Sequence, residues 1–396
     1  HDLIKNTGIE RARGYAQANE AAIHIYKKII TKEGIACHFE ELPSFLYSKK
    51  EEGIKKLKLE AKAARACGIT AEYVRGDKVT ELPFGVAGAV RFEEQAQFHP
   101  LEFIQALAEK LTIYEHTKVL EVDECFVITD KHVIVADNII FATHYPFPIV
   151  PGYYFLRQHQ SRSYALALEG EGVPKKLNGM YYGIDKEGLS FRSADGKLIL
   201  GGGSHRTGKS LIRENGISSK RTSIEQRSVR KMQNIGGFCF LREKTKQYYP
   251  KAEETAHWAA QDCMPHDGIP FIGNFSVKHE NWYVATGFQK WGMTTAMVSA
   301  MIICDMITGR ENPWVEVFSP QRFLIKAGWK KFLTDVWESV MGLTRGIFSK
   351  KEQTCSHMGC GLHWNEEEQS WDCSCHGSRY TSEGKLIDNP AQKNSK

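Results

Sequence analysis

The chain has 396 residues, of which 42% are apolar and 25% are charged, and its net charge is +5. This composition excludes a largely disordered chain and predicts a soluble globular protein of two or three domains. Lysines are dispersed and the charge is small for the length, so we expect no nucleic-acid partner. No apolar run reaches the ~18 residues of a membrane-spanning helix, the longest being residues 294–307.

The chain begins at His1-Asp2 without a signal peptide, which gives no support for export. Cysteines before the last domain show no spacing typical of a disulfide framework, so we interpret them as buried thiols in a reducing compartment. These observations predict a cytoplasmic protein. The cysteines concerned are Cys37, Cys67, Cys125, Cys239, Cys263 and Cys304.

The first third of the chain alternates helical and strand-like patterns. Small and apolar residues recur at helical spacing from Gly8 to Glu33, and the pattern stops at Gly34. This spacing predicts a long first helix. The elements predicted to follow are strands at Ile35–Phe39 and Ser44–Tyr47, a helix at Glu51–Ala66, a strand at Val86–Phe92 and a helix at Pro100–Leu111.

From residue 111 onward short strands dominate. The pattern predicts an α/β protein with a mixed, largely antiparallel middle. Two further helices are expected, at Ser223–Met232 and in the segment that ends at Gly309. The predicted strands are Val119–Val122, Cys125–Ile128, Val133–Ala136, Asn138–Phe141, Ser163–Leu168, Gly179–Tyr182, Lys197–Leu200 and Trp282–Ala285.

A glycine-bearing loop, Gly287 to Gly292, joins the last of these strands to the following helix. Free N–H groups and the helix dipole at such a position would favour an electron-rich edge, for example that of a reduced flavin ring. An ordinary strand-to-helix turn has the same composition. The loop by itself leaves both interpretations open.

A second glycine-containing stretch, Gly203 to Ser210, matches the pattern of a nucleotide-binding P-loop, and residues 301–305 could pass for its acidic partner strand. A P-loop needs a helix directly after its lysine, whereas Gly216 interrupts the chain a few residues later. Asp305 also lies in a segment that is better interpreted as helix. We therefore do not expect nucleotide hydrolysis.

Residues 323–346 are predicted to form an amphipathic connector helix. Its apolar stripe could lie on a membrane surface. Packing between two domains is the favoured interpretation, because a single apolar stripe usually faces a protein core. The stripe consists of Phe332, Leu333, Val336, Trp337, Val340 and Met341.

The last fifty residues carry two Cys/His pairs. His357 follows Cys355 by two residues, and His376 follows Cys373 by three. Two thiolates and two imidazoles on short loops can hold a tetrahedral zinc ion, or a [2Fe–2S] cluster in which two histidines replace two cysteines on one iron. Spacing alone leaves both metal centres open.

Four neighbouring residues favour the cluster. Ser378 and Tyr380 follow the second pair closely, so their hydroxyls could donate hydrogen bonds to cluster or cysteine sulfur. Such bonds raise the reduction potential of an iron–sulfur cluster. Gly359 and Gly377 allow the tight turns that bring backbone close to an inorganic core.

These loops resemble those of the Rieske iron–sulfur family, which read C-T-H-x-G-C and C-P-C-H-G-S-x-[YF]. In this sequence Ser374 stands where the family usually has proline. The resemblance implies that Cys355 and Cys373 bind one iron of the cluster. It implies that His357 and His376 bind the other iron.

The same resemblance implies a disulfide between Cys360 and Cys375, which lie just beyond the ligand pairs. Residues 347–396 are fewer than a Rieske domain normally has. We therefore expect a small all-β Rieske domain that is incomplete at both ends.

Six short motifs occur in a fixed order before this domain. They are Ala142-Thr143, Gly201-Gly202-Gly203, Trp258 to Asp262, Asp267 to Gly273, Ala285 to Phe288, and Gly292 to Thr294. In this order they resemble the FAD-dependent D-amino-acid-oxidase and glycine-oxidase family, over roughly residues 8 to 320. The chain looks most similar to a bacterial subgroup in which this oxidoreductase is fused to a C-terminal Rieske domain.

The resemblance implies that residues 1–322 bind FAD and adopt the α+β fold of these flavoproteins, with mixed sheets. The family begins with a strand, G-x-G-x-x-G and a helix that seat the FAD pyrophosphate, and this sequence contains no G-x-G-x-x-G. We therefore expect an N-terminally truncated domain. The residues implied to contact FAD are Ala142, Thr143, Gly202, Gly273, Gly287, Phe288, Gly292, Met293 and Thr294.

The resemblance also implies oxidation of an amine or amino-acid-like small molecule. If the substrate binds as the free amine, the protein mainly positions its C–H bond and holds its carboxylate, and arginine is the best residue for the carboxylate. Arg192 matches a family arginine position, and His205 and Tyr164 are further candidates for the pocket.

A two-electron flavin and a one-electron cluster in one chain predict electron transfer from substrate through both cofactors to an external acceptor. The alternative is a non-catalytic electron-transfer or interaction protein with a degenerate flavin domain. The missing G-x-G-x-x-G is the observation that favours this alternative.

Overall fold

The fold is seen in a computed structural model that describes residues 1–186, 188–209, 236–322, 333–334, 337, 339–344 and 353–395. The helix predicted at Ser223–Met232 lies outside the described residues. Most of the predicted connector, 323–346, also lies outside them, and its described residues are helical. Within the described ranges, no helix combines the length and the apolar character needed to cross a membrane.

The first long helix has the position predicted from its apolar spacing. It ends where Gly34 adopts the left-handed conformation, with φ 65°, and donates its N–H to the carbonyl of Ile30. Glycine adopts this conformation at the lowest cost. The helices in chain order are α1 (Asp2–Thr7), α2 (Ile9–Glu33), α3 (Glu51–Ala66), α4 (Pro100–Ala108), α5 (Gly237–Tyr248), α6 (Gly292–Ile307) and α7 (Val315–Phe318).

The strands are mostly short. In chain order they are β1 (Glu40–Glu41), β2 (Ser44–Ser48), β3 (Ala71–Arg75), β4 (Gly88–Phe92), β5 (Ala96–Gln97), β6 (Val119–Asp123), β7 (Phe126–Thr129), β8 (Val133–Val135), β9 (Ile139–Phe141), β10 (Gln158–Gly170), β11 (Met180–Gly183), β12 (Ser190–Ala194), β13 (Lys197–Arg206), β14 (Ala252–Pro265), β15 (Phe271–Ser276), β16 (His279–Thr286), β17 (His363–Asn365), β18 (Ser370–Asp372), β19 (Arg379–Tyr380) and β20 (Leu386–Asp388).

The largest sheet has eight strands in the order β14-β10-β13-β12-β11-β2-β4-β3. Its neighbouring strands are antiparallel except for β11 and β2, which run parallel. The sheet is therefore mixed and largely antiparallel, as the sequence predicts. Helix α5 covers one face, where Tyr164, Leu166 and Leu200 form a core with Phe238 and Leu241.

A three-stranded sheet, β15-β16-β9, packs against α6. Strand β9 runs parallel to β16. Parallel neighbours end at the same edge of a sheet, so the segments that follow Phe141 and Thr286 leave this sheet side by side. These segments are the predicted cofactor residues Ala142-Thr143 and the loop that begins at Gly287.

Three smaller sheets complete the described part of the chain, namely β1-β5, β6-β7-β8 and the C-terminal β17-β18-β19-β20. The strand predicted at Ile35–Phe39 is wrong, because His38 has a φ of 52°. An extended strand cannot continue through a left-handed residue. The chain bends there, and the carbonyl of Cys37 accepts a hydrogen bond from the N–H of His99.

A buried ion pair ties the end of the first domain to the turn before β15. The side chain of Arg322 is 2% exposed, and its guanidinium donates to both carboxylate oxygens of Asp267, over 2.8 and 3.0 Å. It also donates to the carbonyls of Pro270 and Phe318. The guanidinium also lies 4.2 Å from the ring centroid of Phe271 and makes a cation–π contact with that ring.

This ion pair predicts a loss of stability in acid. Burial acts to raise the pKa of Asp267, but the charge and hydrogen bonds of Arg322 outweigh burial and the pKa is lowered. A carboxylate with a lowered pKa stabilises the fold above its unfolded pKa of about 4 and loses that contribution as the pH falls. Asp267→Asn should therefore weaken the decline in unfolding free energy below about pH 5. Chemical denaturation across pH checks this, and an unchanged decline contradicts it.

Candidate metal centre and candidate active site

Two short loops of the C-terminal domain present the predicted metal ligands, and both loops close in the same way. In the first, the N–H of Gly359 donates to the carbonyl of Cys355 over 2.8 Å; in the second, the N–H of Gly377 donates to the carbonyl of Cys373 over 2.9 Å. The two glycines have φ values of 78° and 92°. A residue with a side chain would pay roughly 1–2 kcal/mol for this conformation.

The predicted ligands form one thiol pair and one imidazole pair. Cys355 and Cys373 are each 1% exposed and are hydrogen-bonded to one another. The rings of His357 and His376 lie next to each other, with centroids 5.0 Å apart and planes nearly perpendicular. This is the donor set that a cluster with two cysteines on one iron and two histidines on the other requires.

The protonation of Cys355 and His357 suits metal binding, whereas the hydrogen bond with Cys355 raises the pKa of the Cys373 thiol. The hydrogen bond with Cys373 is the largest of the causes that lower the pKa of the Cys355 thiol to about 6. Burial lowers the pKa of His357 to about 4, so its ring is neutral at neutral pH. Its Nδ1 atom is buried and has no hydrogen-bond partner among the described residues. Thiolate and neutral imidazole are the forms that bind metal.

Two hydroxyls lie beside the Cys355 sulfur. The Tyr380 hydroxyl is 3.2 Å from Cys355 Sγ and accepts a hydrogen bond from the N–H of Ser356. The Ser378 hydroxyl accepts from the N–H of Ala391 and also hydrogen-bonds Cys355. The role of Ser378 and Tyr380 in setting the cluster potential stays a prediction.

The predicted disulfide between Cys360 and Cys375 is wrong for this structure. Both are free, buried thiols whose sulfur atoms, with that of Cys373, all lie within 4.8 Å of one another. Hydrogen bonds join the thiols instead, one between Cys360 and Cys373 and one between Cys360 and Cys375. The bond with Cys373 is the largest cause that raises the pKa of Cys360, and the bond with Cys360 is the largest that raises the pKa of Cys375. Both sulfurs therefore keep their protons.

Arg192 lies on the open face of the eight-stranded sheet. A row of directly paired residues crosses five strands on that face: Tyr182, Ser190, Gly201, Ala165 and Trp258. Arg192 follows Ser190 by two residues and so shares the face. Tyr182 and Trp258 are 40% and 44% exposed, so large aromatic rings remain partly uncovered on the face that carries the arginine.

The guanidinium of Arg192 is half-buried on this face. Burial lowers its pKa, and no carboxylate of the described residues acts in the opposite direction. A half-buried cation that meets no carboxylate in the described part of the chain is suited to receive an anionic group from a ligand.

The other two predicted catalytic residues lie on the opposite face. Tyr164 is 2% exposed and stacks on the ring of His205, with centroids 5.5 Å apart. Its hydroxyl donates to Glu368 over 3.2 Å, and burial raises its pKa. Nδ1 of His205 lies 3.0 Å from the carbonyl oxygen of Gly203. The structure therefore does not bring Tyr164 and His205 together with Arg192.

A polar group that the sequence patterns do not reveal lies at the edge of the open face. Nζ of Lys290 lies 3.0 Å from the carboxylate of Asp262, and the Ser163 hydroxyl donates to the same carboxylate over 3.0 Å. Burial raises the pKa of Tyr182, and the Asp262 charge adds to this increase. Asp262 belongs to one of the six motifs and Lys290 to the glycine-bearing loop, but only the tertiary structure shows that they meet.

The predicted cofactor residues on the parallel edge are Ala142, Thr143, Gly287 and Phe288. Gly287 has a φ of 77°, and a Cβ atom there would lie 2.5 Å from the side chain of Pro265. Only glycine fits this position. Gly202, in β13, and Gly273, in β15, lie within sheets rather than in these loops.

Helix α6 begins at Gly292, directly after the glycine loop. Its N-terminus has no side-chain hydrogen-bond cap, and a Cβ atom at Gly292 would meet nothing within 4 Å. The first turn, which contains Met293 and Thr294, thus presents N–H groups and the positive end of the helix dipole to an open space. An electron-rich ring edge fits such a position.

Both domains match known families. Residues 5–306 match the family model described as FAD dependent oxidoreductase, and residues 335–396 match that of the Rieske [2Fe-2S] domain. The chain belongs to the FAD dependent oxidoreductase family. Its oxidoreductase domain binds FAD, and its Rieske domain binds a [2Fe–2S] cluster, which decides between the two metal centres that spacing left open.

Two relatives show how far the similarity extends. The chain is 30% identical over 442 aligned positions to the Rieske 2Fe-2S iron-sulfur protein YhfW of Bacillus subtilis, covering 99% of this chain and 81% of that protein. It is 49% identical over 37 residues to the cytochrome b6-f complex iron-sulfur subunit of Microcystis aeruginosa, covering 9% of this chain and 21% of that subunit. The second similarity is confined to a short segment.

Solved structures show the fold of the oxidoreductase domain. Glycine oxidase from Geobacillus kaustophilus is similar with a TM-score of 0.60 and 16% identity, covering 78% of this chain and 82% of that one. L-amino acid deaminase from Proteus vulgaris is similar with a TM-score of 0.56 and 16% identity, covering 76% and 83%. The predicted class, a flavoprotein with mixed sheets followed by a small antiparallel Rieske domain, is confirmed.

An acidic turn of the Rieske domain docks on the oxidoreductase domain at the start of α5. The carboxylate of Glu367 accepts hydrogen bonds from the N–H groups of Phe238 and Cys239, over 3.0 and 2.6 Å. It therefore caps a helix of the other domain and complements its dipole. A Cβ atom at Gly236 would lie 1.9 Å from this carboxylate, so the contact needs a glycine before the helix.

The next residue of the turn, Glu368, makes a buried ion pair between the domains. Its carboxylate is 11% exposed and contacts Arg162, which is 6% exposed, through two nitrogen–oxygen pairs. Arg379 of the Rieske domain lies 3.2 Å from the same carboxylate. Burial acts to raise the pKa of Glu368, but the hydrogen bond and charge of Arg162 prevail and lower it. The carboxylate stays charged.

Proposed function

We propose that this FAD dependent oxidoreductase oxidises an amine or amino-acid-like substrate on the open face of its large sheet and passes the electrons through the Rieske cluster to an external acceptor. Bound FAD accepts an electron pair from the substrate, and the cluster accepts single electrons. Binding and orienting the substrate are the roles of the protein's own side chains.

Arg192 is proposed to hold the substrate carboxylate. Its guanidinium offers a planar pair of donors that matches a carboxylate, and its half-buried position strengthens the attraction. The exposed rings of Tyr182, on the neighbouring strand β11, and of Trp258, on β14, lie on the same face of the sheet and would exclude water from a substrate bound across it. The ion pair of Asp262 with Lys290 lies at one edge of the open face. Because the two charges neutralise each other, we assign the substrate carboxylate to Arg192.

The proposed electron transfer is supported by the contact between the second cluster-ligand loop and the oxidoreductase domain. Backbone carbonyls of residues 374–377 accept hydrogen bonds from side chains of the oxidoreductase domain. From the Rieske domain, the Asn389 amide donates to the carbonyls of Thr143 and Tyr145, over 2.9 and 3.2 Å. Thr143 is a predicted FAD residue, so this contact joins the Rieske domain to the flavin side of its partner.

Anaerobic reduction of the flavin tests the proposal. The protein, loaded with both cofactors, is mixed with glycine, sarcosine and a panel of D- and L-amino acids, and the flavin and cluster absorbance are followed together. Bleaching of the flavin by a member of the panel, followed by reduction of the cluster, is the expected result. Bleaching by none of them would favour the non-catalytic alternative. Flavin bleaching with an oxidised cluster would refute the electron path alone.

Arg192→Met should lower kcat/KM for a carboxylate-bearing substrate without loss of FAD. A hydrogen bond to a charged group contributes about 1.5–3 kcal/mol, which corresponds to roughly a 10- to 150-fold loss. Steady-state kinetics and flavin content measure the two effects. Arg75→Met is the control, because Arg75 is exposed and pairs with Asp77 two residues away. Equal kcat/KM in both variants would contradict the role of Arg192.

A further inference from the structure

Arg206, at the end of β13, reaches across the domain boundary to the second cluster-ligand loop. Its Nε donates to the carbonyl of Ser374 and its Nη2 to that of Cys375, both over 2.8 Å. These two residues are the ones that separate the ligands Cys373 and His376. Arg206 is 7% exposed, so its charge acts on the loop with little screening by water.

Two glutamines extend this contact along the loop. Gln160 donates to the carbonyl of His376 over 2.9 Å, and Gln261 donates to that of Gly377 over 3.1 Å. The glutamines are also hydrogen-bonded to each other. Among the described residues of the oxidoreductase domain, three side chains thus donate hydrogen bonds to the backbone of the second ligand loop, and of these three Arg206 is the charged one.

The chain after Arg206 is shaped to let the loop approach. Gly208 has a φ of 74°, and a Cβ atom there would lie 2.6 Å from the backbone nitrogen of Ser374. Gly208 and Arg206 both belong to the stretch that resembles a P-loop. The glycine in this stretch allows close contact with the Rieske domain.

We propose that Arg206 is a positioning residue that holds the second ligand loop and raises the reduction potential of the cluster from the neighbouring domain. A reduced cluster carries one more negative charge than an oxidised one, so a buried cation beside its ligand loop stabilises the reduced form. The two hydrogen bonds fix two consecutive peptide planes of the loop, and with them the direction of the following N–H groups. The proposal requires only the cluster and is independent of the substrate proposed above.

Redox titration of the cluster tests this proposal, with dithionite as the reductant and electron paramagnetic resonance as the readout. In Arg206→Gln the ratio of reduced to oxidised cluster at a fixed potential should fall at least tenfold, a downward shift of ~59 mV or more for one electron. Arg242→Gln is the control, because it removes a surface charge of the same domain that pairs with Glu254. It should leave the potential unchanged.

Arg206→Lys separates charge from geometry. Lysine keeps the charge but cannot reach two carbonyls as a planar fork, so its potential should lie between those of the wild type and Arg206→Gln. A wild-type potential in an Arg206→Gln protein that holds its cluster would overturn the proposal. If Arg206→Gln holds no cluster, recovery of the cluster in Arg206→Lys supports the positioning role. A folded Arg206→Lys protein without a cluster would overturn it.

Discussion

Replacing Cys373 by serine should abolish the signals of the [2Fe–2S] cluster and leave FAD in place. A serine hydroxyl is a hard ligand with a far higher pKa than a thiol, so it replaces a thiolate poorly on iron. Cys373 is also 1% exposed and hydrogen-bonded to Cys355, so its loss removes one of the two thiols on which the iron site depends. Visible absorption and electron paramagnetic resonance measure the cluster, and the flavin spectrum measures FAD.

The matched control is Cys304→Ser, which changes an exposed thiol of the oxidoreductase domain. It should keep both cofactors. Reduction of the flavin by an accepted substrate should persist in Cys373→Ser while the electrons no longer reach the external acceptor. Loss of flavin reduction together with the cluster would refute the assignment of the two steps to separate domains.

Replacing Glu368 by alanine should destabilise the docked Rieske domain by about 3–5 kcal/mol, the usual cost of removing one partner of a buried ion pair. The substitution leaves Arg162, which is 6% exposed, without its carboxylate. It also removes the acceptor of the Tyr164 hydroxyl, 3.2 Å away. The shift of the denaturation midpoint, followed through the cluster absorbance, measures the effect.

Glu171→Ala is the control for this prediction. Glu171 pairs with Lys251, but the two side chains are 75% and 65% exposed, and exposed ion pairs contribute little to stability. The midpoint should stay close to that of the wild type. Equal midpoints for Glu368→Ala and the wild type would mean that the interface does not depend on this ion pair.

The cluster ligands could be predicted from sequence because the relevant information is local. Cys355 and His357, and likewise Cys373 and His376, lie within a few residues of each other, and their loops turn at Gly359 and Gly377 whatever the rest of the chain does. The long first helix was predictable for the same reason. Its apolar spacing and its final glycine act over a few turns.

The candidate active site was only partly predictable. Alternation along a strand indicates that Tyr164 and Ala165 face opposite sides of a sheet, but not which side is left open. That choice depends on α5, which covers the face of Tyr164, and on the pairing that aligns Tyr182 with Trp258 across five strands. Contacts between residues far apart in sequence decide which face stays open, and a single sequence does not reveal these contacts.

The sequence by itself determined the helix-forming segments and the ligand pairs, because each rests on short patterns with a direct chemical reason. Its resemblance to two known families implied the two cofactors. Tertiary structure alone decided that Tyr164 contacts Glu368, that Cys360 and Cys375 are hydrogen-bonded thiols, and that Arg206 holds the cluster loop. The contacts of Tyr164 and Arg206 depend on distances between segments separated by 100 residues or more. The state of Cys360 and Cys375 depends on whether their neighbouring sulfurs form a covalent bond. Packing of the whole chain sets those distances, and no local pattern encodes them.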